Sequence, residues 1–94
     1  MIVSFKHKGL RLLWEQDNQS KLPPAQRKKI KILLQVIDEL KDVPRDLENL
    51  MFAKPHPLKG DLSGYWSLSV SGNYRIIFLF KDGRAEDVDY IDYH

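Results

Sequence analysis

Two successive turn signals in the last third of the chain constrain the fold more than any other feature. Residues 71–73 (Ser-Gly-Asn) and 81–83 (Lys-Asp-Gly) each separate two runs that are rich in β-prone residues. Asp-Gly is a strong hairpin signal, because both residues tolerate the positive φ angles that the turn requires. We therefore predict strands over residues 65–70, 74–80 and 85–90, joined as an antiparallel meander.

The first half of the chain has a helical period instead. Residues 2–5 predict a short first strand, and residues 9–16 predict a short helix. Pro23 and Pro24 suit the first turn of a longer helix that runs to about Lys41. Its apolar stripe comprises Ile30, Leu33, Leu34, Ile37 and Leu40. Residues 45–51 predict a short further helix or turn. This order predicts an α+β domain, an antiparallel twisted sheet with helices packed on one face.

Size and composition narrow the class of protein. The 94 residues suffice for a single domain, residues 1–94, and the absence of cysteine excludes disulfides and thiolate zinc sites. Residues 1–59 hold 12 Lys and Arg against 7 Asp and Glu, whereas residues 60–94 hold 3 against 6. A basic front half suits a polyanionic partner, although many solvated helices carry such an excess. No apolar run is long enough for a signal peptide or a membrane span, so we expect a cytoplasmic protein.

His56 is the first candidate for chemistry. It lies between two prolines in the segment 54–61 (Lys-Pro-His-Pro-Leu-Lys-Gly-Asp), which is predicted to be a loop between helix and sheet. Flanking prolines stiffen the backbone and hold the imidazole in one place. The alternative is an ordinary exposed histidine in a proline-rich turn.

Arg75 is the second candidate, because it interrupts an otherwise apolar strand. Alternation places it on the face opposite Tyr74, Ile76 and Phe78, which are expected to meet the helices. A guanidinium on the open face of a sheet is a fixed cation suited to a phosphate. The alternative is a cross-strand partner for Asp87 or Asp89.

The chain closes on a third cluster, Asp92, Tyr93 and His94. A carboxylate, a phenol and an imidazole are the groups of general acid–base chemistry, although a terminal tail usually has no special role. If the alternation holds, we expect this tail to lie across the same groove as Arg75. The chain has no HExxH, EF-hand or GxSxG pattern, and Asp87 and Asp92 should point to opposite faces, so we expect neither a metal site nor a serine hydrolase.

These motifs together resemble the HigB branch of the RelE/ParE toxins. The matching residues are 4–9 (Ser-Phe-Lys-His-Lys-Gly), 56–61 (His-Pro-Leu-Lys-Gly-Asp), 64–67 (Gly-Tyr-Trp-Ser), 73–76 (Asn-Tyr-Arg-Ile) and 92–94 (Asp-Tyr-His). They follow in the family's order, so the resemblance covers essentially the whole chain. The sequence departs most from the family's pattern over residues 16–51, a basic helical segment.

The resemblance implies a compact RelE-like microbial RNase fold and a toxin that cleaves messenger RNA in the ribosomal A site, preferring adenine-rich codons. It implies a helix-turn-helix antitoxin of the HigA type, which neutralises the toxin and binds operator DNA, and no cofactor. By position it assigns His56, Asp92, Tyr93 and His94 to the catalytic set. Arg75 and Lys59 correspond to residues that contact RNA or phosphate, and we expect Lys54 to bind RNA beside them. Arg75 is also expected to be catalytic, because a guanidinium stabilises the extra negative charge of the phosphorane.

Two other functions are also compatible with this sequence. A ParE-like toxin would share the fold, lack nuclease activity and inhibit DNA gyrase. It would need no acid–base residues, so His56 and the closing Asp-Tyr-His disfavour it. An adaptor that only binds a partner is disfavoured only by the co-occurrence of the three clusters.

Overall fold

The computed structural model describes residues 1–92, and its centre is a four-stranded antiparallel sheet in the order β1-β2-β3-β4. The strands are β1 (His56–Pro57), β2 (Tyr65–Ser71), β3 (Tyr74–Lys81) and β4 (Arg84–Asp92). The predicted meander is confirmed, since β2 pairs with β3 and β3 with β4. Asp82 and Gly83 both have positive φ, 53° and 79°, as the Asp-Gly signal requires.

Two helices precede the sheet, as predicted. Helix α1 (Lys8–Gln16) begins at His7, whose Nδ1 accepts a hydrogen bond of 3.2 Å from the backbone N–H of Leu10. Helix α2 (Arg27–Glu39) is shorter than predicted, because a 3₁₀ turn, Pro24–Gln26, occupies its start. It ends before Lys41, because a carboxylate oxygen of Asp46 accepts the N–H groups of Lys41 and Asp42.

The segment 40–64 contains little regular structure. Short 3₁₀ turns span Arg45–Leu47, Met51–Ala53 and Gly60–Leu62. The first two of these turns fulfil the prediction of a short helix or turn at about residues 45–51. The loop predicted around His56 is partly wrong, because His56 and Pro57 pair with Ser67 and Trp66 as a short edge strand.

The N-terminal segment lies beside β4 without forming the predicted strand. Its pairing is limited to two parallel bridges, Ile2 with Ala85 and Phe5 with Val88. Between them β4 bulges at Asp87, where φ is 50° and the backbone N–H donates to the Ser4 hydroxyl at 2.8 Å. The bulge interrupts the ladder, so a continuous strand cannot form there.

The sheet has two unlike faces. The helix face carries Leu68, Ile76 and Phe78 and packs against the predicted apolar stripe, which is buried throughout. The opposite face carries Ser69, Arg75 and Ile77, and Ile77 forms a second, smaller cluster with Leu58 and Tyr65. The loop after β1 therefore partly covers the face that the sequence suggested was open. Within residues 1–92, no helix combines the length and the apolarity that crossing a membrane requires.

Candidate functional site

Arg75 lies near the start of β3 on the opposite face of the sheet, half-buried beside the β2–β3 turn. Its Nη1 donates to the Ser69 hydroxyl at 3.1 Å and to the carbonyls of Gly72 and Tyr74 at 2.8 and 3.2 Å. Three acceptors on one nitrogen atom fix the plane of the guanidinium. The side chain is thus a positioned cation rather than a freely moving one.

The alternative role for Arg75, as a partner of Asp87 or Asp89, is wrong. The register places Ile91 opposite Arg75 and pairs Asp89 with Ile77. The Asp87 carboxylate instead accepts a hydrogen bond of 3.4 Å from the Ser4 hydroxyl. The ion pairs found within residues 1–92 lie elsewhere, between Arg11 and Glu15 and between Lys31 and Asp17.

His56 occupies the edge strand and shares the face of Arg75. It is exposed and stands opposite Ser67, whereas Arg75 stands opposite Ser69 on the other side of β2. Strand spacing and rise put the two Cα atoms about 12 Å apart. The two side chains therefore face the same side of the sheet from the strands on either side of β2.

The two candidate lysines flank His56 along the chain. Lys54 and Lys59 are both exposed, and Lys54 has a positive φ of 46° where a 3₁₀ turn gives way to β1. Lys54 and His56 also line a groove of about 610 Å³ together with Trp66 and residues of the turns after α2. This groove was not predictable from the sequence, because turns distant from β2 in the chain form one wall.

Asp92 does not lie where the sequence predicted. It pairs with Tyr74 at the end of the sheet, and Tyr74 is in phase with Ile76 on the helix face. Asp92 is therefore on the face away from Arg75, and its expected place in the same groove is wrong. The reason is the bulge at Asp87: Ala85 and Val88 both point into the core, so the alternation reverses between them. Tyr93 and His94 lie outside the described residues.

An aromatic group next to Asp92 was not anticipated. The rings of Tyr74 and Tyr90 stack with centroids 5.5 Å apart and planes 14° apart. His7 meets Tyr90 edge-on at 5.6 Å, and the Tyr90 hydroxyl donates to the side-chain oxygen of Gln26. Burial raises the pKa of Tyr90, with smaller contributions from Tyr74 and Asp92, so its phenol stays protonated at neutral pH. The only sequence signal was two tyrosines on neighbouring strands.

The described side chains were also compared with the requirements of a metal-binding site. No group of three or more His, Asp or Glu side chains within residues 1–92 is arranged to hold an ion. A mechanism without metal stays a prediction, because it concerns the reaction rather than the resting site.

A family model matches residues 3–94 of the chain. Its description is "RelE-like toxin of type II toxin-antitoxin system HigB". Among relatives, the chain is 46% identical over 94 residues to the endoribonuclease HigB of Proteus vulgaris, with 100% of both chains covered. It is 30% identical to toxin HigB-1 of Vibrio cholerae, covering 100% of this chain and 98% of that one.

Two solved structures share the fold. YafQ from E. coli strain BL21(DE3) superposes with a TM-score of 0.58 at 18% identity, covering 95% of this chain and 87% of its own. The YoeB dimer from Staphylococcus aureus gives a TM-score of 0.55 at 25% identity, covering 99% and 94%. The predicted α+β fold with helices on one face of an antiparallel sheet is thereby confirmed.

Proposed function

The chain belongs to the HigB-like family of RelE-like toxins from type II toxin–antitoxin systems, and from that premise we propose that it is an endoribonuclease that cleaves messenger RNA in the ribosomal A site. The observation that carries the proposal is that Arg75 and His56 lie on one face of the sheet, in a chain that is 46% identical to an endoribonuclease over its whole length. The immobilised guanidinium supplies a phosphate site, and the exposed imidazole supplies a group for proton transfer.

RNA carries its own nucleophile, which limits what the protein must provide. The ribose 2′-OH attacks the adjacent phosphorus when a base removes its proton and the reacting atoms are held in line. The leaving 5′-oxygen takes a proton from an acid. The products are a 2′,3′-cyclic phosphate and a 5′-hydroxyl.

The side chains available match these steps. We assign the two proton transfers to His56 and His94, with Asp92 orienting the base or assisting it. Arg75 binds the phosphate and stabilises the extra negative charge of the phosphorane. Tyr93 stacks on a base or donates a proton, and Lys54 and Lys59 contact the RNA backbone. No step in this scheme requires a metal ion.

Asp92 fits this scheme despite its place on the helix face. It is exposed at the last described position of β4, while Arg75 is the second residue of β3. Both residues therefore lie at the same end of the sheet. An RNA strand that wraps around that end can contact both faces.

An antitoxin partner follows from the family. We propose that it is of the helix-turn-helix HigA type, encoded beside the toxin, and that operator DNA is reached only through it. The 70S ribosome is the second partner. A modest net charge of +2 gives the toxin little affinity for free RNA, so the ribosome supplies the substrate geometry. The site of action is accordingly the cytoplasm.

The direct test is cleavage of a defined message by purified toxin, with and without ribosomes programmed with that message. We expect cuts within A-site codons, 5′-hydroxyl ends, poor cleavage of naked RNA and activity that survives EDTA once ribosome integrity is controlled. Equal rates on naked and ribosome-bound RNA would contradict the ribosome requirement. Loss of activity that Mg²⁺ restores on a ribosome-free substrate would contradict the metal-free mechanism.

The ParE-like alternative is tested in the same preparation. A toxin that leaves programmed ribosomes intact and blocks supercoiling by DNA gyrase would replace the nuclease proposal. Mapping the 5′ ends of transcripts after brief induction distinguishes the two functions in cells.

A further inference from the structure

Tyr74 presents an aromatic ring at the surface beside Asp92. It is 37% exposed, although its neighbours Ile76 and Phe78 on the same face of β3 are buried. One side of its ring is covered by Tyr90, in a stack with planes only 14° apart. The exposed part of the side chain is available to a ligand.

The stack is held in place from beneath. Tyr90 contacts His7 edge-on, and its hydroxyl donates to Gln26, which lies just before α2. His7 is itself fixed, because its Nδ1 caps α1. The Tyr90 ring thus joins β4 to the beginnings of both helices. A ligand that stacks on Tyr74 would meet a ring whose orientation is already set, which lowers the entropic cost of binding.

The position of the ring relates it to the cleavage chemistry. Tyr74 is the direct cross-strand partner of Asp92, and it precedes Arg75, whose Nη1 donates to the Tyr74 carbonyl. A strand of RNA that brings its phosphate to Arg75 and its ribose to Asp92 would place a neighbouring base within reach of Tyr74.

We propose that Tyr74 is a stacking platform for one nucleobase of the messenger strand that flanks the scissile phosphate. The inference rests on the proposed endoribonuclease function and adds a base-binding subsite to it. Aromatic stacking tolerates any base, because every base has a π-face. The subsite therefore contributes affinity and position, while codon preference is set elsewhere.

A nucleobase fits this surface better than a protein partner does. A stable protein interface buries at least about 1,200 Å² in total, which a single exposed ring does not provide. A base needs only one flat ring of fixed orientation. The large exposed apolar side chains Met51 and Phe52 lie elsewhere, on the turn before β1.

The experiment replaces Tyr74 in the full-length toxin. Tyr74→Leu keeps an apolar residue in the strand and removes the ring, whereas Tyr74→Phe keeps the ring and removes the hydroxyl. Phe52→Leu is the matched control, since it removes an exposed aromatic ring (54% exposed) distant from Asp92. Melting temperature establishes that each variant is folded, and antitoxin binding is measured separately.

Two readouts are measured on programmed ribosomes. The first is KM and kcat for an unmodified message. The second is the fluorescence of 2-aminopurine placed in turn at each nucleotide flanking the cut site, in a 2′-O-methylated message that cannot be cleaved. Stacking on an aromatic ring quenches this probe, so the second readout reports the contact without depending on the chemistry.

We expect Tyr74→Leu to raise KM about 5- to 150-fold with a smaller change in kcat, and to abolish toxin-dependent quenching at one flanking position. Tyr74→Phe should recover most of both signals, and Phe52→Leu should match the wild type. A folded Tyr74→Leu variant with wild-type KM and quenching would overturn the proposal, as would a defect confined to antitoxin binding. Failure of the wild-type toxin to cleave the message on programmed ribosomes would instead refute the proposed function. That failure would be recognised before any variant is made.

Discussion

The two faces of the sheet differ in how their side chains are used. On the helix face, Leu33, Ile37 and Phe78 belong to one continuous core and are fully buried. On the opposite face, a small cluster around Ile77 leaves room for polar groups such as Arg75. Most of the apolar area removed from water on folding therefore lies on the helix face.

The difference implies a division between stability and chemistry. Changes on the helix face should alter the free energy of unfolding and leave the rate per folded molecule unchanged. Changes at Arg75 or His56 should do the reverse. The end of the sheet is the exception, because Tyr74 and Asp92 lie on the helix face but beside the proposed site.

The largest effect is expected for the two histidines assigned to proton transfer. His56→Ala and His94→Ala should each lower the rate of message cleavage on programmed ribosomes by about 10²–10⁴-fold, the usual cost of losing a general acid or base. For the exposed His56, the free energy of unfolding should change by no more than about 0.5 kcal/mol.

Glu39→Gln, an exposed change at the end of α2, is the control for the histidine variants. Melting curves and single-turnover rates are the measurements. A His56→Ala variant that cuts at the wild-type rate would remove this residue from the mechanism and leave the opposite face with Arg75 alone.

Arg75→Ala should lower the cleavage rate by about 10²–10³-fold, comparable to losing one preorganised donor to a developing oxyanion. Arg75→Lys should recover only part of the rate. A lysine keeps the charge but lacks the planar fork that donates to Ser69 and the Gly72 carbonyl while presenting other N–H groups to phosphate. If the lysine variant equals the wild type in kcat and KM, charge alone is sufficient and the fixed geometry is irrelevant.

Ile37→Val should lower the free energy of unfolding by about 0.5–1.5 kcal/mol, because it removes a buried methylene group from the helix face. The same substitution at Ile32, which is 43% exposed on the same helix, should change it by less than about 0.5 kcal/mol. Denaturant titration measures both. The comparison between the faces would fail if Ile37→Val slowed cleavage by folded toxin.

The smallest effects are expected for two serines on β2. The buried Ser67 hydroxyl has no hydrogen-bond partner among residues 1–92, so Ser67→Ala should leave stability unchanged or raise it by up to about 1 kcal/mol. Ser69→Ala removes an acceptor of Arg75 and should slow cleavage about 2- to 10-fold. If Ser67→Ala were instead the slower enzyme, the assignment of the catalytic contact to Ser69 would be wrong.

Much of the fold was predictable because local signals agreed with the tertiary structure. The Asp-Gly turn fixed the last hairpin, and the spacing of Leu33, Leu34 and Ile37 fixed the buried side of α2. The face of Arg75 followed from simple alternation, since the register shift beside it lies on β2, between Ser69 and Ser71, and leaves the alternation of β3 unchanged. The choice of residues for the candidate site also came from the sequence, through its motifs.

The sequence by itself determined the two helices, the core stripe, the two hairpins and the chemical groups available for catalysis. Only the tertiary structure decided how those groups are grouped in space. The bulge at Asp87 reversed the alternation of β4 and moved Asp92 to the helix face, and the pairing of His56 with Ser67 turned a loop into an edge strand. The Tyr74–Tyr90 stack on His7 is another such case. Each depends on contacts between segments far apart in the chain, and turn and period signals report only near neighbours.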